Sequence, residues 1–144
     1  MLQVQEVLAE TVLPIRQEVL RPGKPLSACV FEPDPLASSH HFMLLKDNLE
    51  IAIASYFKER HPEFQEEKQY RLRGMAVLPE YHGKSFGKKL LNESLKKLPS
   101  RNLVWFNARL KAVGFYKKQG FLPQGEEFEI PGVGLHILMF QKYE

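Results

Sequence analysis

One stretch constrains the fold more than any other. From Tyr70 to Leu98 an apolar run gives way to a short loop of small residues and then to an amphipathic segment. Tyr70 to Leu78 alternates large and small residues and predicts a buried strand; Pro79 ends it, because proline has no N–H to give a sheet ladder. Phe86, Leu90, Leu91, Leu95 and Leu98 recur at helical spacing, with Lys88, Lys89, Lys96 and Lys97 mostly off that face, so a helix follows. Between strand and helix lie His82-Gly83-Lys84-Ser85-Phe86-Gly87. Such a loop leaves several backbone N–H groups unpaired at the positive end of a helix, which is a ready anion site. From His82 to Lys97 five lysines oppose one glutamate, a balance that suits phosphate. The plainer reading is a tight turn beside a solvated lysine face. Neither the Walker fingerprint nor the dinucleotide fingerprint is complete here, which argues against those two phosphate folds.

The flanking residues decide between these readings. Met75-Ala76-Val77-Leu78-Pro79-Glu80-Tyr81-His82-Gly83-Lys84-Ser85-Phe86-Gly87-Lys88-Lys89-Leu90-Leu91 resembles the acetyl-CoA signature of the GNAT superfamily of N-acetyltransferases. A second block, Trp105-Phe106-Asn107-Ala108-Arg109 followed by Ala112, Phe115-Tyr116, Lys118 and Gly120-Phe121, resembles that superfamily's next motif, in the same order. The resemblance, to the small single-domain bacterial type, implies an α/β (α+β) fold: a mixed, splayed sheet of six to seven strands flanked by about four helices. It also implies acetyl-CoA as co-substrate, with no metal and no covalent enzyme intermediate. By the same resemblance, His82, Gly83, Lys84, Ser85, Phe86, Gly87 and Lys88 hold the pyrophosphate. The backbone of Met75, Ala76 and Val77 pairs with the pantetheine arm, Asn107 hydrogen-bonds the cofactor, and Tyr116 protonates the departing sulfur. Two positions depart from the family pattern: His82 stands for Gln or Arg, and Ser85 for the first Gly. A serine there is tolerated at negative φ and strained at positive φ.

At 144 residues the chain is expected to form one domain, residues 1–144, large enough for a real core. Its 44% hydrophobic and 26% charged residues are those of an ordinary globular protein, and a net charge of +3 does not by itself imply nucleic-acid binding. The single cysteine, Cys29, excludes an internal disulfide and any multi-cysteine metal site, and suits a reducing cytoplasm. With no activating base nearby in sequence, Cys29 reads as a packed thiol. No apolar run approaches membrane-spanning length, and no signal segment is evident at the N-terminus.

Leu2, Val4 and Glu6 fit a first strand, and Thr11 is placed to cap a helix with Pro14 at its third position and Gly23 beyond its end. Arg21 to Ser39 carries four of the ten prolines and predicts a long, stiffened loop. By the resemblance this loop selects the acceptor; it reads equally as a connection. His41–Leu45 and Leu49–Phe57 predict a hairpin turning at Lys46-Asp47-Asn48. Leu103–Asn107 predicts a strand parallel to the one at Val77, and Arg109–Gln119 a helix stopped by Gly120. Asn107 reads equally as a cap on that helix, and Tyr116 as a core aromatic with its hydroxyl at the rim.

Acetyl transfer to an amine also needs a proton acceptor, for which the candidates are His41, Glu50 and His136. His136, flanked by apolar residues, reads more readily as a structural histidine. Glu126, Glu127 and Glu129 form an acidic edge that either attracts a cationic amine or faces water. The expected activity is transfer of acetyl from acetyl-CoA to a primary amine, on a small molecule or a protein, without nucleic acid or membrane as partner. A homodimer is an ordinary state for a domain of this size. A non-catalytic CoA-binding or regulatory module is the alternative.

Overall fold

The computed structural model describes residues 1–143. The element order is β1 (Leu2–Val7), α1 (Ala9–Ile15), β2 (His40–Lys46), β3 (Leu49–Lys58), β4 (Gln69–Val77), α2 (Phe86–Lys97), β5 (Leu103–Arg109), α3 (Val113–Lys118), β6 (Leu122–Ile130) and β7 (Gly134–Lys142). The seven strands form one mixed sheet in the order β1-β2-β3-β4-β5-β7-β6. Three α-helices accompany it, the first continued by a π-helical turn over Arg16–Leu20. The chain gathers into two compact units, Met1–Phe57 with Leu72–Pro99, and Lys58–Arg71 with the chain from Ser100 onward.

In the first unit, β1, β2 and β3 run antiparallel. The β2–β3 turn has Asp47 at φ 49° and Asn48 at φ 69°. Two adjacent left-handed residues match the twist of a tight hairpin, and Asp and Asn tolerate that conformation better than other side chains. Ile51 to Phe57 is buried at every position, which is why this strand reads as a continuous apolar run. On α2 the stripe of Phe86, Leu90, Leu91 and Leu95 is buried as its spacing predicts. Leu90 and Leu91 have no exposed surface; burying a leucine contributes about 2 kcal/mol. Ser94, also buried on that face, is satisfied by the Tyr56 hydroxyl at 2.7 Å.

Helix α1 differs from the sequence expectation. It begins at Ala9 after Leu8, with no side-chain cap, so Thr11 lies inside the first turn and Pro14 falls within the helix. Proline there removes an N–H from the helical ladder, and the chain widens directly afterwards: the Arg21 N–H reaches back five residues to the Arg16 carbonyl at 3.1 Å. That widened turn places Arg16 in the interior.

In the second unit, Gln69–Arg71 of β4 pairs in parallel with Leu103–Trp105. Strand β5 is paired along its length with β7, Leu103↔Lys142 through Arg109↔His136. That ladder keeps Ala108 and Arg109 extended, so the helix expected from Arg109 starts only at Val113, after a tight 3₁₀ turn over Leu110–Ala112. Phe64, Leu103, Trp105 and Leu138 form one core cluster of the unit. The Trp105 indole N–H donates to the Glu59 carbonyl at 2.9 Å. Buried Gln69 ties the 59–68 loop together: its amide donates to the carbonyls of Phe64 and Glu66 and accepts from the His61 N–H.

Candidate active-site elements

The loop after β4 is built one hydrogen bond at a time. Leu78 N–H donates to the Ile51 carbonyl, Tyr81 N–H to Leu78, and His82 N–H to Pro79, winding Pro79–Tyr81 into a 3₁₀ turn. The chain then turns left-handed at Gly83, φ +76°, where a Cβ would meet nothing within 4 Å. It does so again at Ser85, φ 64° and ψ 18°, before entering α2. Phe86 is buried and packs its ring 6.0 Å from that of Tyr81, anchoring the loop to the helix start.

Three features fit this helix start to an anion. No side chain caps it, no acidic residue lies in its first turn, and the residues from His82 to Ser85 are exposed. The first intrahelical bond runs from the Lys89 N–H to the Ser85 carbonyl, so the N–H groups of Phe86, Gly87 and Lys88 precede the helical ladder. A helix dipole and uncapped donors favour a phosphate there. The imidazole of His82 donates from Nε2 to the Val77 carbonyl at 2.8 Å. It thereby ties the loop to the last residue of β4.

Met75 and Val77 are half-buried and Ala76 is buried, in step with the pleat of β4. Gly74, just before them, has φ +65° in mid-strand; a Cβ there would stand 3.0 Å from Cε2 of Phe31 and 3.2 Å from Nε of Arg16.

The second unit holds the other expected residues. Asn107 lies inside β5, paired with Leu138, and is half-buried. It does not cap the following turn, which starts after Arg109. Tyr116 on α3 packs against Phe106 at 4.4 Å, Phe115 at 5.1 Å and Phe121 at 6.2 Å between ring centroids. Burial pushes its phenol up to about 12. Tyr116 therefore keeps its proton throughout the neutral range.

Of the base candidates, Glu50 is exposed opposite Leu45 on the β2–β3 hairpin. His136 is buried with Nδ1 on the Gly134 carbonyl at 2.8 Å and its ring stacked on Phe128. His41 is buried with both ring nitrogens engaged: Nδ1 faces the Ser55 hydroxyl at 2.7 Å, and Nε2 donates to the Asp34 carbonyl at 3.0 Å. Arg16 also donates to the Ser55 oxygen, at 3.0 Å. His41, the expected base, thus sits inside a buried polar cluster.

The rest of that cluster is one the sequence reading missed. Buried Arg16 donates to both carboxylate oxygens of Asp34, at 2.6 and 2.9 Å, and to the Cys29 carbonyl at 3.0 Å. Asp34 also accepts the Phe31 N–H at 2.8 Å. Burial alone raises the Asp34 carboxyl, but the Arg16 and Phe31 hydrogen bonds and the Arg16 and His41 charges outweigh it and hold the group below its usual value. Two signals in the sequence point here: an arginine one turn after Val12 on the apolar face of a helix, and an aspartate between Pro33 and Pro35. Cys29 is buried with its thiol toward the Pro25 carbonyl, a packed thiol as expected. Among the described residues no cluster of three or more His, Cys, Asp or Glu could hold a metal, and no helix is long and apolar enough to cross a membrane.

Comparison with known proteins points to one family. Residues 13–121 match the acetyltransferase (GNAT) family. An uncharacterized N-acetyltransferase of Bacillus subtilis, YitI, is 36% identical over 143 residues, covering 98% of this chain and 96% of that protein. Among solved structures, Escherichia coli ElaA superposes with a TM-score of 0.77 at 19% identity, covering 99% of this chain and 100% of that one. An acyl-CoA N-acyltransferase from Pseudomonas aeruginosa gives 0.75 at 20% identity, covering 98% and 99%. The ribosomal-protein-S18-alanine N-acetyltransferase of Escherichia coli gives 0.75 at 17%, covering 99% and 94%. At these identities the structural likenesses establish the fold. The chain belongs to the GNAT acetyltransferase family.

Proposed function

We propose that this protein transfers an acetyl group from acetyl-CoA directly to a primary amine. The observation that carries the reading is the uncapped, acid-free start of α2 directly after β4 and its left-handed loop, which suits an anion, in a chain of this family. Acetyl-CoA supplies the activated carbonyl: the amine nitrogen forms the new C–N bond, the C–S bond breaks, and the sulfur leaves with the electron pair.

The chain's residues then have distinct tasks. Backbone N–H groups from Gly83 to Lys88 receive the pyrophosphate, with Lys84 and Lys88 adding positive charge. His82 ties this loop to Val77. The backbone of Met75, Ala76 and Val77 orients the pantetheine arm and its thioester, and Asn107 hydrogen-bonds the cofactor. Tyr116 donates a hydrogen bond to the departing sulfur. Full proton transfer from a phenol at about 12 to a thiolate whose thiol titrates near ~8.5 is uphill, so this help is a charge-assisted hydrogen bond, with solvent completing the protonation. The amine enters as the free base, having lost one proton to water, and the nitrogen sheds a second proton to water as the amide forms. The acceptor is a small molecule or protein amine, the setting cytoplasmic.

Thiol release from acetyl-CoA, followed across a panel of primary amines, tests the reading. Wild type should release thiol with at least one amine, and Tyr116→Phe should slow it. The second reading, a CoA-binding module without catalysis, is favoured by Ser85 standing at positive φ where the family carries glycine. It predicts acetyl-CoA binding, no thiol release with any amine, and no effect of Tyr116→Phe.

A further inference from the structure

We propose that the ring of Phe31 forms a wall of the acceptor site, and that the buried Arg16–Asp34–Ser55–His41 network holds it there. Phe31 is then a specificity-determining residue, and Arg16 and Asp34 are positioning residues acting through it. The inference rests on the function proposed above, which puts the thioester beside Met75–Val77.

Phe31 belongs to a stretch, Val30 to Ser39, that contains neither helix nor strand. Left to itself such a segment would sample many conformations. Here it is tied down at successive points. The Cys29 carbonyl and the Asp34 carboxylate accept from Arg16, the Phe31 N–H bonds to Asp34, and the Asp34 carbonyl accepts from His41. The ties lead to α1's π-helical extension and to strands β2 and β3, so the loop is fixed against the rigid part of its unit.

The Phe31 side chain is fixed as well. The guanidinium carbon of Arg16 lies 3.9 Å from its ring centroid and that of Arg73 4.0 Å away. Two guanidinium groups that close hold the ring by cation–π contact. Phe57 meets it edge-on at 6.0 Å. The fourth contact is with the strand itself: a Cβ on Gly74 would stand 3.0 Å from the ring, and Gly74 has φ +65°. Only glycine allows the ring this close to β4 without strain.

Gly74 immediately precedes Met75. The half-buried Phe31 ring therefore rests on the backbone next to the residues assigned to the thioester, with part of its surface still open. An amine aligned for attack must bring its first carbons close to that carbonyl, where this ring limits their bulk and offers apolar contact. The network is poorly explained by stability alone. Buried ion pairs seldom outperform apolar packing of the same volume, and Arg16 Nε is buried with no hydrogen-bond partner among the described residues. Fixing one loop conformation accounts for it better.

The test separates acceptor contacts from CoA contacts without needing the natural acceptor. Calorimetry measures acetyl-CoA and two bisubstrate conjugates, CoA joined through a thioether-linked acetyl bridge to n-butylamine or to phenethylamine. The proteins are wild type, Phe31→Ala, Phe31→Leu and Asp34→Asn, each checked for native near-UV circular dichroism. We expect wild type to bind one conjugate at least tenfold tighter than acetyl-CoA. Phe31→Ala and Asp34→Asn should cut that preference at least fivefold while leaving acetyl-CoA affinity within twofold, and Phe31→Leu should keep most of it. An unchanged preference in folded Phe31→Ala overturns the inference alone. Failure of wild type to bind acetyl-CoA or either conjugate overturns the proposed function and this inference with it.

Discussion

Replacing Ser85 by glycine should stabilise the protein. Ser85 holds φ 64° and ψ 18° at the start of α2, and its hydroxyl makes no cap hydrogen bond. A residue with a Cβ in the left-handed region is strained by about 1–2 kcal/mol. Glycine relieves that strain but adds about 0.4–1 kcal/mol of unfolded-state entropy. The net gain is about 0.5–1 kcal/mol, which for a chain of this size raises Tm by about 2–3 °C. Ser85→Ala isolates the origin of the effect: it keeps the strain and removes only an unbonded hydroxyl, so it should lie within about 0.5 kcal/mol of wild type. Gly83→Ala should move the other way, since φ +76° there penalises any side chain even though space is open. Urea denaturation with thermal melts measures all three. A stability loss in Ser85→Gly, or a loss above about 1 kcal/mol in Ser85→Ala, would refute the reasoning, because the hydroxyl would then be bonding where none is seen.

Asp34→Ala leaves the Arg16 guanidinium buried without its carboxylate, and urea denaturation should show a loss of about 3–5 kcal/mol. The Asp34 carboxyl is lowered in the folded state, so its contribution is present above the unfolded value near 3.8 and disappears as pH falls through the lowered folded value; pH-dependent denaturation of Asp34→Asn should lack that acid step. Tyr116→Phe removes one hydrogen-bond donor from the departing sulfur and should lower kcat about 10²-fold without changing acetyl-CoA affinity. With the phenol at about 12, the wild-type pH–rate profile should show no descending limb below pH 10 from this group. Leu90→Ala, at a site with no exposed surface, should cost about 2–5 kcal/mol in denaturation.

The most legible parts of the fold were those where one physical demand dominates. The apolar stripe of α2, the Asp47-Asn48 turn and the continuous burial of β3 each follow from local pattern, and the structure keeps them. Boundaries set by partners distant in sequence were less legible. Arg109 reads as helical, yet its pairing with His136 holds it in a strand. Pro14 suggests a first-turn position, yet the helix starts earlier and widens after it. For the candidate site, the strand–loop–helix segment was readable because backbone donors need only small residues and a helix start. The Arg16–Asp34–Ser55–His41 network was not, since its members lie on four segments and each looks ordinary alone. Ser85 is the instructive position. Sequence posed the question of its φ, and only the structure answered it.

The most direct test of the central claim is calorimetric titration of the purified protein with acetyl-CoA, beside Gly83→Asp. Aspartate at φ +76° adds both backbone strain and a negative charge at the loop assigned to the pyrophosphate. Saturable binding by wild type, weakened at least 100-fold in a folded Gly83→Asp variant, is the result this account predicts. No binding by wild type at millimolar acetyl-CoA, or equal binding by the variant, would contradict it.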